Sequence, residues 1–327
     1  MAYVPVPVPR QHHLVLIIIL SLAVAAAGVQ AQLTPESAPP VRASAPASPS
    51  YRCGWCPRRS TASLLPPDAA ATTGAACGYG PGSAAPELAD GGFHIASVTP
   101  GLFRRGRACG ACYQLRCRDR AACAEDGVKV VVVADAPPST NVTGGTGRFL
   151  LSSDAFAAMT NRGGADRLAG NAAVDVEFRR IPCVYGANKN LSVKVEEASV
   201  RSRGHLALRF LHQGGQTDIV AVEVAQAVTN NDSSAPPQMT WRYMTRSERS
   251  PGVWRTSRAP AGPLRLRIVI TAGSGGKWLR SEGAVLPADW VPGRVYDTGL
   301  RVADVAASTC SGASCDSDDD DSDLELR

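Results

Sequence analysis

Charged and aromatic side chains are scarce in this 327-residue chain, at 19% and 6%. That balance, beside 31 glycines and 24 prolines, disfavours coiled coils and helical bundles and suits turn-rich β structure. Histidine is rarer still. Only His94, His205 and His212 lie beyond the first thirteen residues, and none has an evident catalytic partner. With no Gly-x-Ser-x-Gly run either, a serine or cysteine nucleophile lacks its machinery. No glycine-rich phosphate loop stands in strand–turn–helix context. After the amino-terminal segment no eighteen residues run uninterrupted and apolar, so no later transmembrane helix is expected. Collagen-like and internal repeats are absent. The chain is nonetheless 44% hydrophobic, enough to build real cores.

The first residues have the layout of an export signal. Arg10, His12 and His13 precede an apolar run from Leu14 to Val29, and Val29-Gln30-Ala31 supplies a small-x-small cleavage site. Residues 1–31 are therefore read as a signal peptide, and the Pro/Ala/Ser-rich residues 32–50 as a spacer. What remains is long enough for two domains of about 100–200 residues each. All ten cysteines follow the signal, which in an exported chain reads first as disulfides. Cys53-Gly-Trp-Cys56 and Cys109-Gly-Ala-Cys112 could in principle hold zinc or exchange thiols. His94 is the only nearby histidine, however, and the second pair runs into a strand rather than opening a helix. No metal and no cofactor is expected. Asn141, Asn190 and Asn231 each head a glycosylation triplet.

Charge is unevenly placed. Residues 32–315 hold 32 Lys/Arg against 22 Asp/Glu, whereas Asp316 to Arg327 carries seven carboxylates and one arginine. A basic body outside the cell suits an acidic polysaccharide better than nucleic acid. The acidic tail, residues 304–327, has a disordered composition.

Strands are expected at Cys112–Arg116, Val128–Val133 and Val174–Phe178, the second continuously β-branched like a central buried strand. Ser152 should cap a short helix to Met159. A second block of strands, Leu206–Leu211, Ile219–Val224 and Leu264–Ile270, is separated by turns such as Gln213-Gly-Gly-Gln216 and suggests a β-sandwich. Residues 188–203 are read as the connection. Asp135, just past the buried strand, is the best candidate for a working carboxylate, although a turn-capping Asp before two prolines is as good a reading. Asp154 merely suits a helix start. Asp175 and Glu177 share one face of a strand, but spacing does not place them opposite Asp135. Flat rings are the other way to hold sugar; Trp241, Tyr243 and Trp254 cluster in the second block, followed by Trp278 and Trp290.

Six pieces in order carry a resemblance: Gly74-Ala-Ala-Cys77-Gly-Tyr79-Gly80, Gly110-Ala-Cys112-Tyr-Gln-Leu-Arg-Cys117, Val174-Asp-Val-Glu-Phe-Arg-Arg-Ile-Pro-Cys183, Gln213-Gly-Gly-Gln-Thr-Asp-Ile219, Tyr243-Met-Thr-Arg-Ser247 and Leu286-Pro-Ala-Asp-Trp290. The chain resembles the plant expansins, and most of all their expansin-like A group. The resemblance implies an all-β fold: a six-stranded double-psi β-barrel like that of family 45 glycoside hydrolases (residues 51–187), then an immunoglobulin-like β-sandwich that binds carbohydrate (residues 204–303). It implies the disulfides Cys77–Cys109, Cys112–Cys183 and Cys117–Cys123, and leaves Cys53, Cys56, Cys310 and Cys315 unassigned.

Expansins loosen walls without hydrolysis, and their strand-end Asp matches Asp135. Their second acid lies in a His-Phe-Asp motif before Leu-Ser, where this chain has Arg148-Phe149-Leu150 before Leu151-Ser152. Leu150 can neither donate a proton nor hydrogen-bond a sugar, so no hydrolytic activity by that route is expected. Rings of the family's binding face align with Ser63-Leu64-Leu65, His205 and Glu248–Ser250, where this chain has no Trp, Tyr or Phe. The resulting expectation is a secreted, nonhydrolytic wall protein, a monomer with no membrane or nucleic-acid partner once the signal is removed. It binds cell-wall polysaccharide, in particular acidic matrix polysaccharide, through Tyr79, Asp135, Arg148, Trp241, Tyr243 and Trp254. Two other readings stand beside it: a cryptic glycan hydrolase or lyase using Asp135, and a disulfide-rich extracellular scaffold without a sugar ligand.

Overall fold

The computed structural model describes residues 57–66, 76–78, 91–136, 148–171, 173–185, 189–227, 239–272, 275–302 and 305. The expected export signal and spacer, the acidic tail apart from Val305, Cys53, Cys56, Cys310, Cys315, Tyr79, Asn141 and Asn231 lie outside them. No helix among the described residues is long and apolar enough to cross a membrane.

Six strands close into a barrel: β1 (Arg58–Leu64), β2 (Phe93–Val98), β3 (Cys112–Cys117), β4 (Val128–Asp135), β5 (Arg148–Leu151) and β6 (Val174–Ile181). Their order round the barrel is β1-β5-β2-β4-β3-β6, with β1–β5 and β2–β4 parallel and the other pairs antiparallel. The β-branched run Val130–Val133 is completely buried, as a strand between two partners should be. Among the described residues three short helices decorate the barrel: α1 (Pro100–Phe103), α2 (Ser153–Met159) and α3 (Gly164–Ala169). Ser152 caps α2 by accepting a hydrogen bond from the Ala155 amide. The structure contains the bridges Cys77–Cys109, Cys112–Cys183 and Cys117–Cys123. The second ties the start of β3 to the residues just past β6 and closes the longest loop of these three, with a separation of 71 residues. Chain-entropy arguments put such a closure at about 4 kcal/mol.

The remaining strands are β7 (Ser192–Val195), β8 (Leu206–Leu211), β9 (Ile219–Gln226), β10 (Arg242–Arg246), β11 (Val253–Thr256), β12 (Leu264–Ala272), β13 (Gly275–Arg280) and β14 (Val295–Asp297). They follow the order β13-β12-β9-β10-β11-β8-β7-β14. β10 joins two layers, because Arg242–Met244 pair with β9 whereas Thr245 and Arg246 pair with β11. Leu208, Phe210, Val222, Val224, Met244, Leu266 and Ile268 belong to one core cluster drawn from both layers.

One boundary needs correction. Residues 188–203, expected as a connection, contain β7, which pairs with both β8 and β14. Leu191, Val193 and Val195 alternate at period two and are essentially inaccessible in the sandwich core. That alternation was the available signal, hidden by its brevity.

Barrel and sandwich meet through the Gln213–Asp218 turn. The Gly214 and Gly215 carbonyls accept hydrogen bonds from the Cys183 and Cys112 amides. Gly215 has φ 82°, and a Cβ there would fall 2.5 Å from the Cys183 sulfur. Asp218, 3% exposed, pairs with Arg104 at 2.6 Å and Arg180 at 2.7 Å. Burial would raise the pKa of the Asp218 carboxyl, but attraction by Arg180 and then Arg104, with their hydrogen bonds, holds it below the usual carboxylate range.

The stability that Asp218 contributes is therefore present above about pH 4 and lost as pH falls towards its lowered pKa. Thermal melts between pH 7 and pH 3 should show a falling Tm for the wild type. Asp218→Asn should start lower and fall less over the same range. Gly215→Ala should cost roughly 1–3 kcal/mol in denaturant titration, from its left-handed backbone and the clash at the disulfide.

Candidate functional site

Asp135 ends β4 and is exposed, immediately after a fully buried stretch. It pairs with Val98 of β2, and Val98 also pairs with Phe149 of β5. Ser97 pairs in the same way with Ala134 and Leu150. Asp135 and the Phe149–Leu150 step thus lie on strands flanking β2, two strand spacings or about 10 Å apart. Leu150 is 2% exposed and packs with Leu65 and Ala136 in a small apolar cluster of its own. Opposite it on β1, the Ser63 hydroxyl is buried with no hydrogen-bond partner among the described residues.

The other carboxylates considered are elsewhere. Asp175 and Glu177 stand exposed on β6, opposite Thr61 and Arg59 of β1, and β6 does not border β4. Asp154 is exposed in the first turn of α2. Arg148 begins β5 opposite Thr61. Asn190, half-buried, donates a hydrogen bond to Asp297 at 3.1 Å.

The rings divide sharply. Trp254, expected as a binding ring, is 6% exposed within the sandwich core, and the Arg246 guanidinium lies 4.4 Å over it. A ring closed on both sides has no free face for a sugar, so Trp254 is a packing residue. Trp290 is buried too, at 4%. By contrast Tyr243 is 69% exposed and Trp278, on β13, is 51% exposed. The register aligns Tyr243, Glu223, Arg267 and Arg280 across β10, β9, β12 and β13. Arg267 lies between two indoles, 4.4 Å from Trp241 and 4.5 Å from Trp278, and is anchored by an ion pair to the buried Glu223. Arg280 lies 5.5 Å from the Trp241 ring. This is a rigid outer face, about 14 Å across its four strands, of rings interleaved with guanidinium groups. Trp278 was not singled out among the binding residues expected. The alternation Lys277-Trp278-Leu279-Arg280, with Leu279 turned to the core, was the signal that distinguishes it from Trp290.

Residues 191–287 match the family model of the expansin C-terminal domain, beginning one residue before β7. The rice (Oryza sativa subsp. japonica) Expansin-like A4 is 58% identical over 284 residues, covering 84% of this chain and 87% of that protein. The chain belongs to the expansin family, in its expansin-like A group. The Arabidopsis thaliana Expansin-like A2 is 40% identical over 262 residues, or 79% of this chain and 89% of the relative. Among solved structures, the apo expansin of Clavibacter michiganensis superposes with TM-score 0.50 at 18% identity, covering 75% of this chain and 98% of its own. A mutant of that bacterial expansin, solved in complex with cellohexaose, matches equally well. At that identity the likeness concerns the fold: a double-psi barrel followed by a β-sandwich. This expansin-like chain keeps both while carrying its own rings and charges.

The two tryptophan environments predict opposite behaviour. Trp254→Ala should cost about 3–5 kcal/mol of stability, as for other buried large-to-small changes. Trp278→Ala should leave the melting temperature within a few degrees of wild type, since half of its surface already faces water.

Proposed function

We propose that this expansin-like chain is an exported cell-wall protein that holds polysaccharide without cutting it. The observation that carries the reading is the exposed face of Tyr243 and Trp278, set between arginines on a rigid sheet. Flat rings pack against the C–H faces of pyranoses, and guanidinium groups donate to their oxygens. The complex of the bacterial relative with cellohexaose supports a glycan as the ligand class. The positive balance of residues 32–315 supports an acidic matrix polysaccharide as the preferred form. The signal-like first 31 residues and the glycosylation triplets support export, and the domain limits are read as barrel to about residue 187 with the sandwich beginning near 191.

Hydrolysis of a glycosidic bond by the family 45 scheme needs one carboxyl to protonate the leaving oxygen and another to activate water. Asp135 offers one carboxylate. The side chain at the position of the second is Leu150, packed against Leu65 and Ala136. An aliphatic group there supports binding and positioning by Asp135, not acid catalysis.

Two measurements test this together. Incubated with cellulose, xylan or pectin, the wild type should release no reducing ends above background, and Asp135→Ala should behave alike. In pull-downs it should be retained on at least one of these, with Tyr243→Ala/Trp278→Ala losing roughly tenfold in affinity. Release of reducing ends that disappears in Asp135→Ala would establish the hydrolase reading instead. Retention on none of the polymers would favour the scaffold.

A further inference from the structure

The seam between barrel and sandwich is crowded with arginine and poor in carboxylate. Asp218 alone answers Arg104 and Arg180 there. Arg246 approaches the same place, donating to the carbonyls of Gly106, Pro251 and Ile219. Burial, helped by repulsion from Arg107 and Arg104 and opposed by Asp218, lowers the Arg246 pKa to about 10. Three guanidinium groups thus share one carboxylate, leaving a positive field at the rim.

At that rim stand Arg105 and Arg107, both exposed and neither ion-paired among the described residues. They are presented by a turn in which three consecutive residues have positive φ: Arg104 at 50°, Arg105 at 52° and Gly106 at 86°. Gly106 is pressed on the sandwich, where a Cβ would fall 2.4 Å from the Pro251 Cβ. A left-handed backbone is unfavourable for arginine and persists only where its surroundings impose it. For Arg104 the Asp218 pair explains the conformation. Arg105 has no such ion pair among the described residues, and the turn leaves it exposed two residues from the exposed Arg107.

We propose that Arg105 and Arg107, beside the paired Arg104 at this seam, form a subsite for the carboxylates of a uronic-acid polysaccharide. The inference rests on the polysaccharide reading above and names the chemistry and place of its electrostatic contact, away from the ring-bearing sheet face. Guanidinium forks match carboxylate oxygens in pairs, and one such contact in water is weak. A polymer with a carboxylate on every sugar engages several at once, which a free monomer cannot do.

The test compares polygalacturonate, its fully methyl-esterified form and xylan in affinity electrophoresis of the mature chain. Wild type should be retarded about tenfold more strongly by polygalacturonate than by the ester, with the difference lost at high salt. Arg105→Glu/Arg107→Glu should erase that difference while leaving retardation by xylan and the ester unchanged. Arg118→Glu/Arg120→Glu, the same charge change on another exposed loop, should preserve it. Circular dichroism and Tm check that both variants are folded. Free galacturonate at matched ionic strength should compete no better than chloride. Equal retardation by polygalacturonate and ester, effective competition by the monomer, or equal loss in the Arg118/Arg120 control overturns the subsite while xylan binding keeps the broader reading intact. Retardation by none of the polymers overturns both.

Discussion

A carboxylate that is 3% exposed can stay ionised only if its surroundings replace the water it has lost, and Asp218 does so by drawing an arginine from each of two barrel segments. Arg104 follows α1, and Arg180 lies near the end of β6. The carboxylate itself stands in the sandwich, just before β9. The pairing therefore orients one domain on the other, and the neighbouring turn adds the Gly214 and Gly215 contacts to the Cys112–Cys183 bridge. Even one methyl group at Gly215 has no room. The same residues that close β3 and β6 covalently also provide the ledge on which the second domain rests.

Each domain carries its own exposed features. The barrel contributes the exposed end of β4 and the left-handed arginine turn. The sandwich contributes the outer face of β10, β9, β12 and β13. On that face the half-buried Arg267 is fixed by both charge and ring packing. Arg267 is held by Glu223 below and an indole on either side. Its charge is partly neutralised and its rotamer freedom is already spent, so the rings it separates are preorganised for a flat ligand.

Leu150 stands where β5 pairs with both β1 and β2. Leu65 and Ala136 close round it, so the position is apolar as a unit. The barrel closes through backbone pairing along its six strands and through interior packing.

Much of this was legible in the residues themselves. The β-branched run Val130–Val133, the Ser152 cap and the alternating strands of the sandwich follow from local sterics and hydrogen bonding, which act over a few neighbouring residues. The acidic Asp135 just past that run is likewise read from the residues alone. The alternation around Trp278 pointed outward, but only the tertiary structure decided that Trp254 is buried. Trp254 and Trp278 both sit on strands, but one points between the layers and the other away, a matter of register and of which face each strand turns to its neighbours. It also decided that Asp218 belongs to Arg104 and Arg180, which are 114 and 38 residues away in the chain. No local rule reaches that far, because a buried charge finds its partner through the packing of whole domains.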